Sequence, residues 1–314
     1  MNNRKDLTII GIDGGGTHTR GILYRHGNII ANAKAGTTRV GAIGVGESCE
    51  RLLNVIDDLC KQAEIESEEL DAVVIGLAGV WLEEEKLRSA TLLKTLARSR
   101  KIILNDLLVT SDVELAIEGA FGGDNGIVII VGTGSIGLAK LSKNKFERVG
   151  GWGIELDDEG SGAWIGREGL TAVVRHLDGR GKPTALTNII CNMFPTIDIS
   201  NPRTIVKAYS ERAFEYHMLT PSVMQCAEAG DEVCVDIIVR ASDHLMELPS
   251  TIAKHYKTGV PVALMGGIID AKTMLAKLFE AKVKKSRKMK LVKPKGTALD
   301  GALALGFRLL EEMD

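Results

Sequence analysis

The residues best suited to chemistry stand near the start of the chain, where an apolar run stops at one carboxylate and three glycines. In order they are Asp13, Gly14, Gly15, Gly16, Thr17, His18 and Thr19. Glycine lacks a Cβ and accepts positive φ, so this segment can turn sharply and bring backbone N–H groups close to an anion. Threonine hydroxyls add donors, and a carboxylate suits hydrated Mg²⁺. The pattern predicts a turn around a nucleotide phosphate; a glycine-rich hairpin capped by Asp13 is the competing interpretation.

A similar pattern of an apolar run and a glycine turn occurs in the middle of the chain. Residues 126–138 form an apolar run broken by a second turn of glycines and hydroxyls, composed of Gly132, Thr133, Gly134 and Ser135. In each copy two further predicted strands follow, separated by a turn at Gly27 in the first copy and near Asn144 in the second. This repeat predicts two like domains that face each other across a cleft. The first turn lacks the Gly-Lys-Ser/Thr of a P-loop and the helix of a dinucleotide fold.

The segments around these turns alternate between strand and helix patterns. Residues 36–41 read as a flexible polar loop. Apolar residues at helical spacing predict helices at 46–63, 83–99, 163–178, 201–214, 222–229, 231–256 and 297–312. Continuous apolar runs predict strands at 71–77, 102–110 and 260–265. Helices interleaved with buried strands are typical of an α/β layer architecture.

Composition narrows the class of protein. The 314 residues, 45% hydrophobic and 25% charged, are long enough for two domains, and a net charge of −2 gives no electrostatic case for nucleic acid or an anionic membrane. Five scattered cysteines without a CxxC pair favour reduced thiols over zinc or a cluster within one chain. No run reaches the ~20 apolar residues of a membrane helix, and the start does not read as a signal peptide. We expect a cytoplasmic protein.

Together these segments resemble the actin, Hsp70 and sugar-kinase superfamily, and within it the BadF/BadG/BcrA/BcrD ATPase family, which includes N-acetylglucosamine kinase. The resemblance covers nearly the whole chain and rests on residues 11–20, 130–137, 150–153, 158–161 and 264–268. It implies two ribonuclease H-like (actin-like ATPase) domains with ATP in the cleft between them. The first domain would hold residues 1–118 and 296–314, and the second would hold residues 119–295. A homodimer is also implied.

The resemblance implies an ATP-dependent kinase acting on an amino sugar such as N-acetylglucosamine or glucosamine. Asp112 matches the aspartate that takes the proton from the sugar hydroxyl. The residues around it support this role, because it follows a predicted strand and heads a helix whose dipole would keep it ionised. A plain helix N-cap is the alternative. Asp106 is a rival base that stands further from the helix start.

Further roles follow from the same resemblance. Asp13 would hold Mg²⁺ through water, while Thr17 and Thr133 would bind phosphates. The remaining predicted nucleotide contacts are Gly14, Gly15, Gly16, Thr19, Gly132, Gly134, Ser135, Ala227, Gly266 and Gly267. Trp152, Gly153 and Asp158 resemble the sugar contacts, with a carboxylate for paired hydroxyls and a tryptophan to flank the ring. A core tryptophan and loop-capping acids are the alternatives.

One position departs from the family pattern. Where the family commonly has Gly-Pro-Ser-Asn, this chain has Gly36-Thr37-Thr38-Arg39, so Arg39 replaces an asparagine that contacts the sugar. A donor-only cation there suggests an acceptor with an anionic or differently placed group, or a side chain in solvent.

The rival functions are an iron–sulfur activator ATPase for a 2-hydroxyacyl-CoA dehydratase and a non-catalytic sugar or nucleotide binder. The first needs cysteines beside Gly266 and Gly267, and the sequence has none there. A sugar-sensing regulator would need a helix-turn-helix arm, for which the six residues before Leu7 leave no room.

Overall fold

The structure is a computed structural model that describes residues 7–142, 145–257 and 259–312. Its chain divides into two compact units. Unit 1 comprises Met1–Gly126, Lys140–Lys145 and Lys293–Asp314, and unit 2 comprises Ile127–Ala139 and Phe146–Val292. The domain limits expected from the sequence stay a prediction, because a compact unit is not always a domain that folds by itself.

Unit 1 is built on a five-stranded sheet. Its strands are β1 (Ile9–Gly14), β2 (His18–Arg25), β3 (Asn28–Gly36), β4 (Ala72–Leu77) and β5 (Asp106–Ser111), and their order is β3-β2-β1-β4-β5. The first three strands form an antiparallel meander, while β4 and β5 run parallel to β1. Its helices are α1 (Val40–Gln62), α2 (Glu83–Ser99), α3 (Asp112–Phe121) and α11 (Ala298–Glu311).

Both faces of this sheet are covered, which explains the continuous apolar runs of β1 and β4. On one face Ile10 and Ile12 pack with Leu52 and Ile56 of α1. On the other face Ile9 lies in a cluster with Leu303 of α11. The small residues of α11 allow it to approach α3 closely, because a Cβ on Gly301 would lie 2.0 Å from the carbonyl oxygen of Leu115.

Unit 2 repeats the same strand succession. Its strands are β6 (Gly126–Val131), β7 (Ser135–Ser142), β8 (Lys145–Gly150), β9 (Val260–Met265) and β10 (Met289–Leu291), in the order β10-β9-β6-β7-β8. Both β9 beside β6 and β10 beside β9 are parallel pairs. The predicted fold class and internal repeat are therefore confirmed, while the turn expected near Asn144 lies outside the described residues. The helices are α4 (Gly162–Leu177), α5 (Leu186–Met193), α6 (Arg203–Ser210), α7 (Thr220–Glu228), α8 (Glu232–Ile252), α9 (Gly267–Asp270) and α10 (Met274–Lys285).

The structure differs from the predicted elements at three places. Helix α1 begins at Val40, six residues early, and is interrupted at Gly44, whose φ is 80°. Three glycines in this first part lower its helix propensity, so the pattern did not show it. Helix α5 and the strand β10 were also missed; β10 is a three-residue strand in a lysine-rich run, and charged edge strands lack a clear apolar alternation. Among the described residues, no helix is both long and apolar enough to cross a bilayer.

Candidate functional site

The carboxylate that ends the first apolar run lies at the carboxyl end of β1. Asp13 pairs with Arg20 across the β1–β2 hairpin, and the Arg20 guanidinium donates to Asp13 Oδ2 at 2.7 Å. Only 11% of the Asp13 side chain is exposed, whereas the Arg20 side chain is 56% exposed. No described residue donates a hydrogen bond to Oδ1 of Asp13. One carboxylate oxygen is thus fixed and the other remains available.

Of the two properties of glycine that favour a turn after Asp13, the structure uses the missing Cβ. None of Gly14, Gly15 and Gly16 has a positive φ. A Cβ on Gly14 would lie 2.5 Å from Thr38 Oγ1, and one on Gly15 would lie 2.8 Å from the His18 carbonyl oxygen. A Cβ on Gly16 would meet nothing within 4 Å. The missing Cβ atoms therefore allow close packing beneath the turn and leave its tip open.

The two threonines of this turn lie in different surroundings. Thr17 is exposed at the tip. Thr19 is fully buried, and its hydroxyl lies 2.9 Å from the hydroxyl of Thr38. Thr19 thus links the turn to the segment that leads into α1.

That segment, expected to be a flexible loop, is held by several hydrogen bonds. The Thr37 hydroxyl donates to the carbonyl oxygen of Gly15 at 3.3 Å, and Arg51 donates to the carbonyl oxygen of Thr37 at 2.9 Å. Ser48 donates to the carbonyl oxygen of Thr38 at 2.7 Å. We therefore correct the prediction: side chains distant in sequence fix this loop against the glycine turn, and its composition alone did not show them.

Helix α3 begins with a capping box that leaves the carboxylate of Asp112 outside the cap. Ser111 is the N-cap, its hydroxyl accepting from the Glu114 amide at 3.2 Å, while Glu114 accepts from the Ser111 amide at 2.9 Å. Asp112 is the first helical residue, so the interpretation of Asp112 as a plain N-cap was wrong. Burial alone would raise the pKa of Glu114, but hydrogen bonds led by that from Thr110 lower it. The cap is therefore an ionised structural acid.

Asp112 lies at the same end of the sheet as Asp13, where the carboxyl ends of the parallel strands β1, β4 and β5 meet. Gly76 of β4 pairs with Asp13, and a Cβ on Gly76 would lie 3.0 Å from the Asp112 Cα. Burial raises the pKa of Asp112 to about 7, and the Asp13 carboxylate adds to the rise; backbone N–H groups and Arg39 oppose it. The N–H groups at the helix start favour the ionised form, as expected, but the effect of burial on the pKa of Asp112 is larger.

The rival Asp106 lies at the other end of its strand. It opens β5 and pairs with Ala72, the first residue of β4. At roughly 3.3 Å per residue, five residues separate it from Ser111 by about 17 Å along the strand. Asp106 is therefore far from the edge where Asp13 and Asp112 lie.

The second glycine turn, in unit 2, is held by a carboxylate from a distant loop. Asp158 Oδ1 accepts from the Ser135 amide at 3.2 Å, and a Cβ on Gly134 would lie 2.9 Å from Asp158 Oδ2. The Ser135 hydroxyl donates to the carbonyl oxygen of Glu159 at 3.1 Å. A Cβ on Gly132 would meet nothing within 4 Å, so this turn is also open at one point. Asp158 thus caps the turn, which was the alternative interpretation of the acids in this loop. Its role as a sugar contact stays a prediction.

The start of α4 and the segment after β9 adjoin this turn. The amides of Gly162 and Ala163 donate to the carbonyl oxygens of Gly132 and Thr133 at 2.8 and 2.9 Å. Gly266 has a φ of 103°, and a Cβ on it would lie 2.5 Å from the carbonyl oxygen of Val131. The predicted phosphate and adenosine segments of unit 2 are therefore neighbours.

The other two predicted nucleotide contacts in unit 2 differ in accessibility. A Cβ on Gly267 would meet nothing within 4 Å. Ala227 is buried in α7, three residues before the open, positive-φ Gly230.

Trp152 stands at the surface of unit 2. Its side chain is 67% exposed, so the alternative of a core tryptophan was wrong. The Arg148 guanidinium lies 4.7 Å from its ring centroid, and Asp157 accepts from its backbone amide at 3.1 Å. Gly153 follows with a φ of 95°. The exposed ring presents an apolar face of the kind that flanks a sugar.

Sequence reasoning missed four supporting residues: Arg20, Thr38, Glu114 and Arg148. A signal existed for two of them. Asp13 and Arg20 stand symmetrically about the first turn, as partners in a hairpin must, and Ser111 with Glu114 has the spacing of a capping box. No local pattern pointed to Thr38 or Arg148.

In the described part of the chain, no three His, Cys, Asp or Glu side chains converge as a metal site would require. The five cysteines are free, and four of them are buried.

Three comparisons bear on this arrangement. A model of the BadF/BadG/BcrA/BcrD ATPase family matches residues 10–306. Glucosamine kinase GspK from Vibrio cholerae is 28% identical over 298 residues, which cover 94% of each chain. An N-acetylmuramic acid/N-acetylglucosamine kinase from Clostridium acetobutylicum is 33% identical over 181 residues, or 57% of each chain. A putative N-acetylglucosamine kinase from Chromobacterium violaceum superposes with a TM-score of 0.78 at 26% identity, covering 96% of this chain and 99% of that one.

Proposed function

Because the chain belongs to the BadF/BadG/BcrA/BcrD ATPase family, we propose that it is an ATP-dependent kinase that phosphorylates a hydroxyl of an amino sugar. The relatives similar over most of their length are kinases of glucosamine and N-acetylglucosamine. The observation that carries the proposal is the placement of Asp13 and Asp112 at one sheet edge, with the pKa of Asp112 at about 7. Phosphoryl transfer needs a positioned base of this kind and little covalent chemistry.

Asp112 is the proposed general base. A base works best when its pKa lies near the operating pH, since it is then both available and strong enough to accept the proton. One Asp112 oxygen accepts from the Val113 amide at 2.9 Å, which fixes the carboxylate. We propose that Asp112 accepts the proton of the acceptor hydroxyl as the hydroxyl oxygen attacks the terminal phosphorus of ATP, whose bond to the bridging oxygen breaks to release ADP. The two roles are orientation of the hydroxyl and removal of its proton.

Phosphate binding is assigned to the two glycine turns. In unit 1 the donors are the backbone of Gly14, Gly15 and Gly16 and the hydroxyl of Thr17; in unit 2 they are the backbone of Gly132, Gly134 and Ser135 and the hydroxyl of Thr133. The open positions at Gly16 and Gly132 support this assignment, because a phosphate can approach the backbone there. For Thr19, which is buried against Thr38, we propose that it positions the turn. Gly266, Gly267 and the region of Ala227 are assigned to the adenosine.

The residues at Asp13 fit a magnesium ion bound mainly through water. Asp13 offers one oxygen that no described residue occupies, and no further acidic cluster surrounds it in the described ranges. Mg²⁺ keeps several waters and uses one or two carboxylates plus phosphates, so a single carboxylate is sufficient. The ion would neutralise charge on the phosphates. Arg20 would hold Asp13 in place for it.

The acceptor is assigned to Asp112, Arg39, Trp152, Gly153 and Asp158. Trp152 supports this through its exposed ring. We also propose a homodimer in the cytoplasm, where ATP and reduced thiols occur together. Light scattering would test the dimer, and fractionation of cells that make the protein would test its location.

The test of the kinase proposal is ADP release with Mg-ATP and a panel of sugars. We expect N-acetylglucosamine or another amino sugar to raise ADP release well above the sugar-free rate, with one phosphorylated sugar formed per ADP. Equal rates with every sugar and with none would overturn the proposal. The dehydratase-activating alternative is not proposed, since the residues beside Gly266 and Gly267 include no cysteine.

A further inference from the structure

Arg39 carries a cation that the described structure does not use. Its side chain is exposed, and its guanidinium forms no hydrogen bond or ion pair with any described residue. A guanidinium is always charged and presents donors in a rigid, planar fork that matches a carboxylate. Some arginines of unit 1 do have acidic partners: Arg25 pairs with Glu69 at 2.7 Å. Near the glycine turn, Arg20 pairs with Asp13 at 2.7 Å. Arg39 therefore stands out among the charges near the glycine turn.

The base of this side chain is held firmly. The Arg39 amide donates to the Thr37 hydroxyl at 3.1 Å, and its carbonyl oxygen accepts from Ala42 at 3.0 Å. Thr37 and Thr38 are in turn bonded to the first glycine turn. A long side chain whose backbone is fixed loses less entropy on binding than one on a mobile loop.

The cation lies near the proposed base. A Cβ on Gly79 would be 3.7 Å from Arg39 Cγ, and Gly79 follows Ala78, whose amide donates to the carbonyl oxygen of Gly14 at 2.8 Å. The charge of Arg39 also lowers the pKa of Asp112 against the stronger effect of burial. Both observations place the guanidinium at the edge of unit 1 that holds Asp13 and Asp112.

We propose that Arg39 binds a carboxylate on the acceptor, so that the enzyme prefers an amino sugar bearing an acidic substituent. This inference rests on the proposed kinase function. Without a cation near it, ionised Asp112 would repel such a substrate. A guanidinium binds a carboxylate through two parallel, charge-assisted hydrogen bonds, which a neutral sugar cannot supply. The preference would therefore come from one residue.

Arg39 could alternatively act only as a counter-charge for Asp112. The two roles predict different results. A counter-charge changes the pH profile for every sugar alike, whereas a carboxylate contact changes the ratio between acidic and neutral sugars. Lysine keeps the charge and lacks the fork, so Arg39→Lys separates them.

The experiment measures kcat/KM for N-acetylmuramic acid, which is N-acetylglucosamine carrying a lactyl carboxylate, and for N-acetylglucosamine itself. Both sugars are compared in the wild type, Arg39→Asn, Arg39→Lys and the control Arg25→Asn, after thermal unfolding has shown that each is folded. We expect the wild type to prefer the acidic sugar. Arg39→Asn should lower the acidic-to-neutral ratio roughly 10- to 100-fold, Arg39→Lys should lower it by less, and Arg25→Asn should not change it.

The outcomes separate the two proposals. If the wild type phosphorylates neutral amino sugars but not N-acetylmuramic acid, or if Arg39→Asn leaves the ratio unchanged, the carboxylate contact is wrong and the kinase proposal stands. An equal loss for both sugars in Arg39→Asn would also overturn it in favour of the counter-charge role. If no sugar is phosphorylated by the wild type, the kinase proposal itself fails.

Discussion

The two glycine turns occupy the same place in two sheets of identical strand order, yet their carboxylates are used differently. In unit 1, Asp13 stands on the strand itself and is held by the side chain of Arg20. In unit 2, β6 ends in Val131 without an acid, and Asp158 comes from the loop before α4 to accept from the Ser135 amide. One carboxylate keeps an oxygen available, and the other stabilises the backbone of its turn.

The two units also differ in the acid Asp112, which directly follows strand β5 of unit 1. In unit 1 the strand β5 leads directly into Asp112, where burial and a like charge raise the pKa to about 7. Asp158 in unit 2 instead accepts from the Ser135 backbone amide and supports the turn. The comparison indicates that one topology was used twice, with the proposed base in unit 1 and an acid that caps a turn in unit 2.

The largest expected effect is the loss of the proposed base. Asp112→Asn should lower kcat by about 10²- to 10⁴-fold, the range for loss of a general base, while the affinity for ATP remains. At pH 8 the variant should be at least as stable to urea as the wild type, because the ionised Asp112 that it lacks is the form disfavoured by burial. Asp106→Asn is the matched control, since Asp106 lies at the opposite end of β5. Unchanged turnover in Asp112→Asn would show that Asp112 is not the general base.

The next effect is the pH dependence of turnover. Asp112 accepts a proton only when ionised, so activity should fall as pH falls through about 7, roughly tenfold for each further pH unit. Arg39 opposes the rise in this pKa, and Arg39→Asn should therefore shift the fall to higher pH. The measurement is a kcat profile from pH 5 to pH 9. A flat profile would show that no group in this range controls the chemical step.

A smaller effect compares glycines that pack with glycines that stay open. Gly14→Ala should lower the free energy of unfolding by about 1–3 kcal/mol, because the new Cβ would overlap Thr38 Oγ1. Gly16→Ala, whose Cβ would meet nothing, should change stability by less and weaken ATP binding instead. Urea unfolding and nucleotide titration distinguish the two results. Equal stability losses would contradict the difference in packing, and unchanged ATP binding in Gly16→Ala would mean that the open tip of the turn is not a binding surface.

The smallest effect concerns the structural acid of unit 2. Asp158→Asn keeps an oxygen that can accept from the Ser135 amide but removes the charge, so we expect a loss of about 1 kcal/mol in the free energy of unfolding. If Asp158 also contacts the acceptor, as proposed, KM for the sugar should rise with it. A fall in kcat as large as that of Asp112→Asn would contradict the division of roles between the units.

Much of the fold could be predicted because its signals are local. Each buried strand is a continuous apolar run, and each turn has its own glycines, so β4, β9 and α2 were predicted to within a residue or two. The weaker elements, such as β10 and the start of α1, carry no such pattern. Candidate site residues were found where a motif stood in sequence, as at Asp13 and Asp112.

Sequence by itself determined the repeat, the two glycine turns and the acid that heads α3, because each depends on neighbouring residues and their periodicity. Tertiary structure alone decided how these groups behave. It placed Asp13 beside Asp112 through parallel pairing of β1, β4 and β5, and it buried Asp112 enough to raise its pKa against the helix dipole. It also bound Asp158 to Ser135 and left Arg39 without a partner among the described residues. Desolvation and pairing depend on residues far apart in the chain, which no local pattern records.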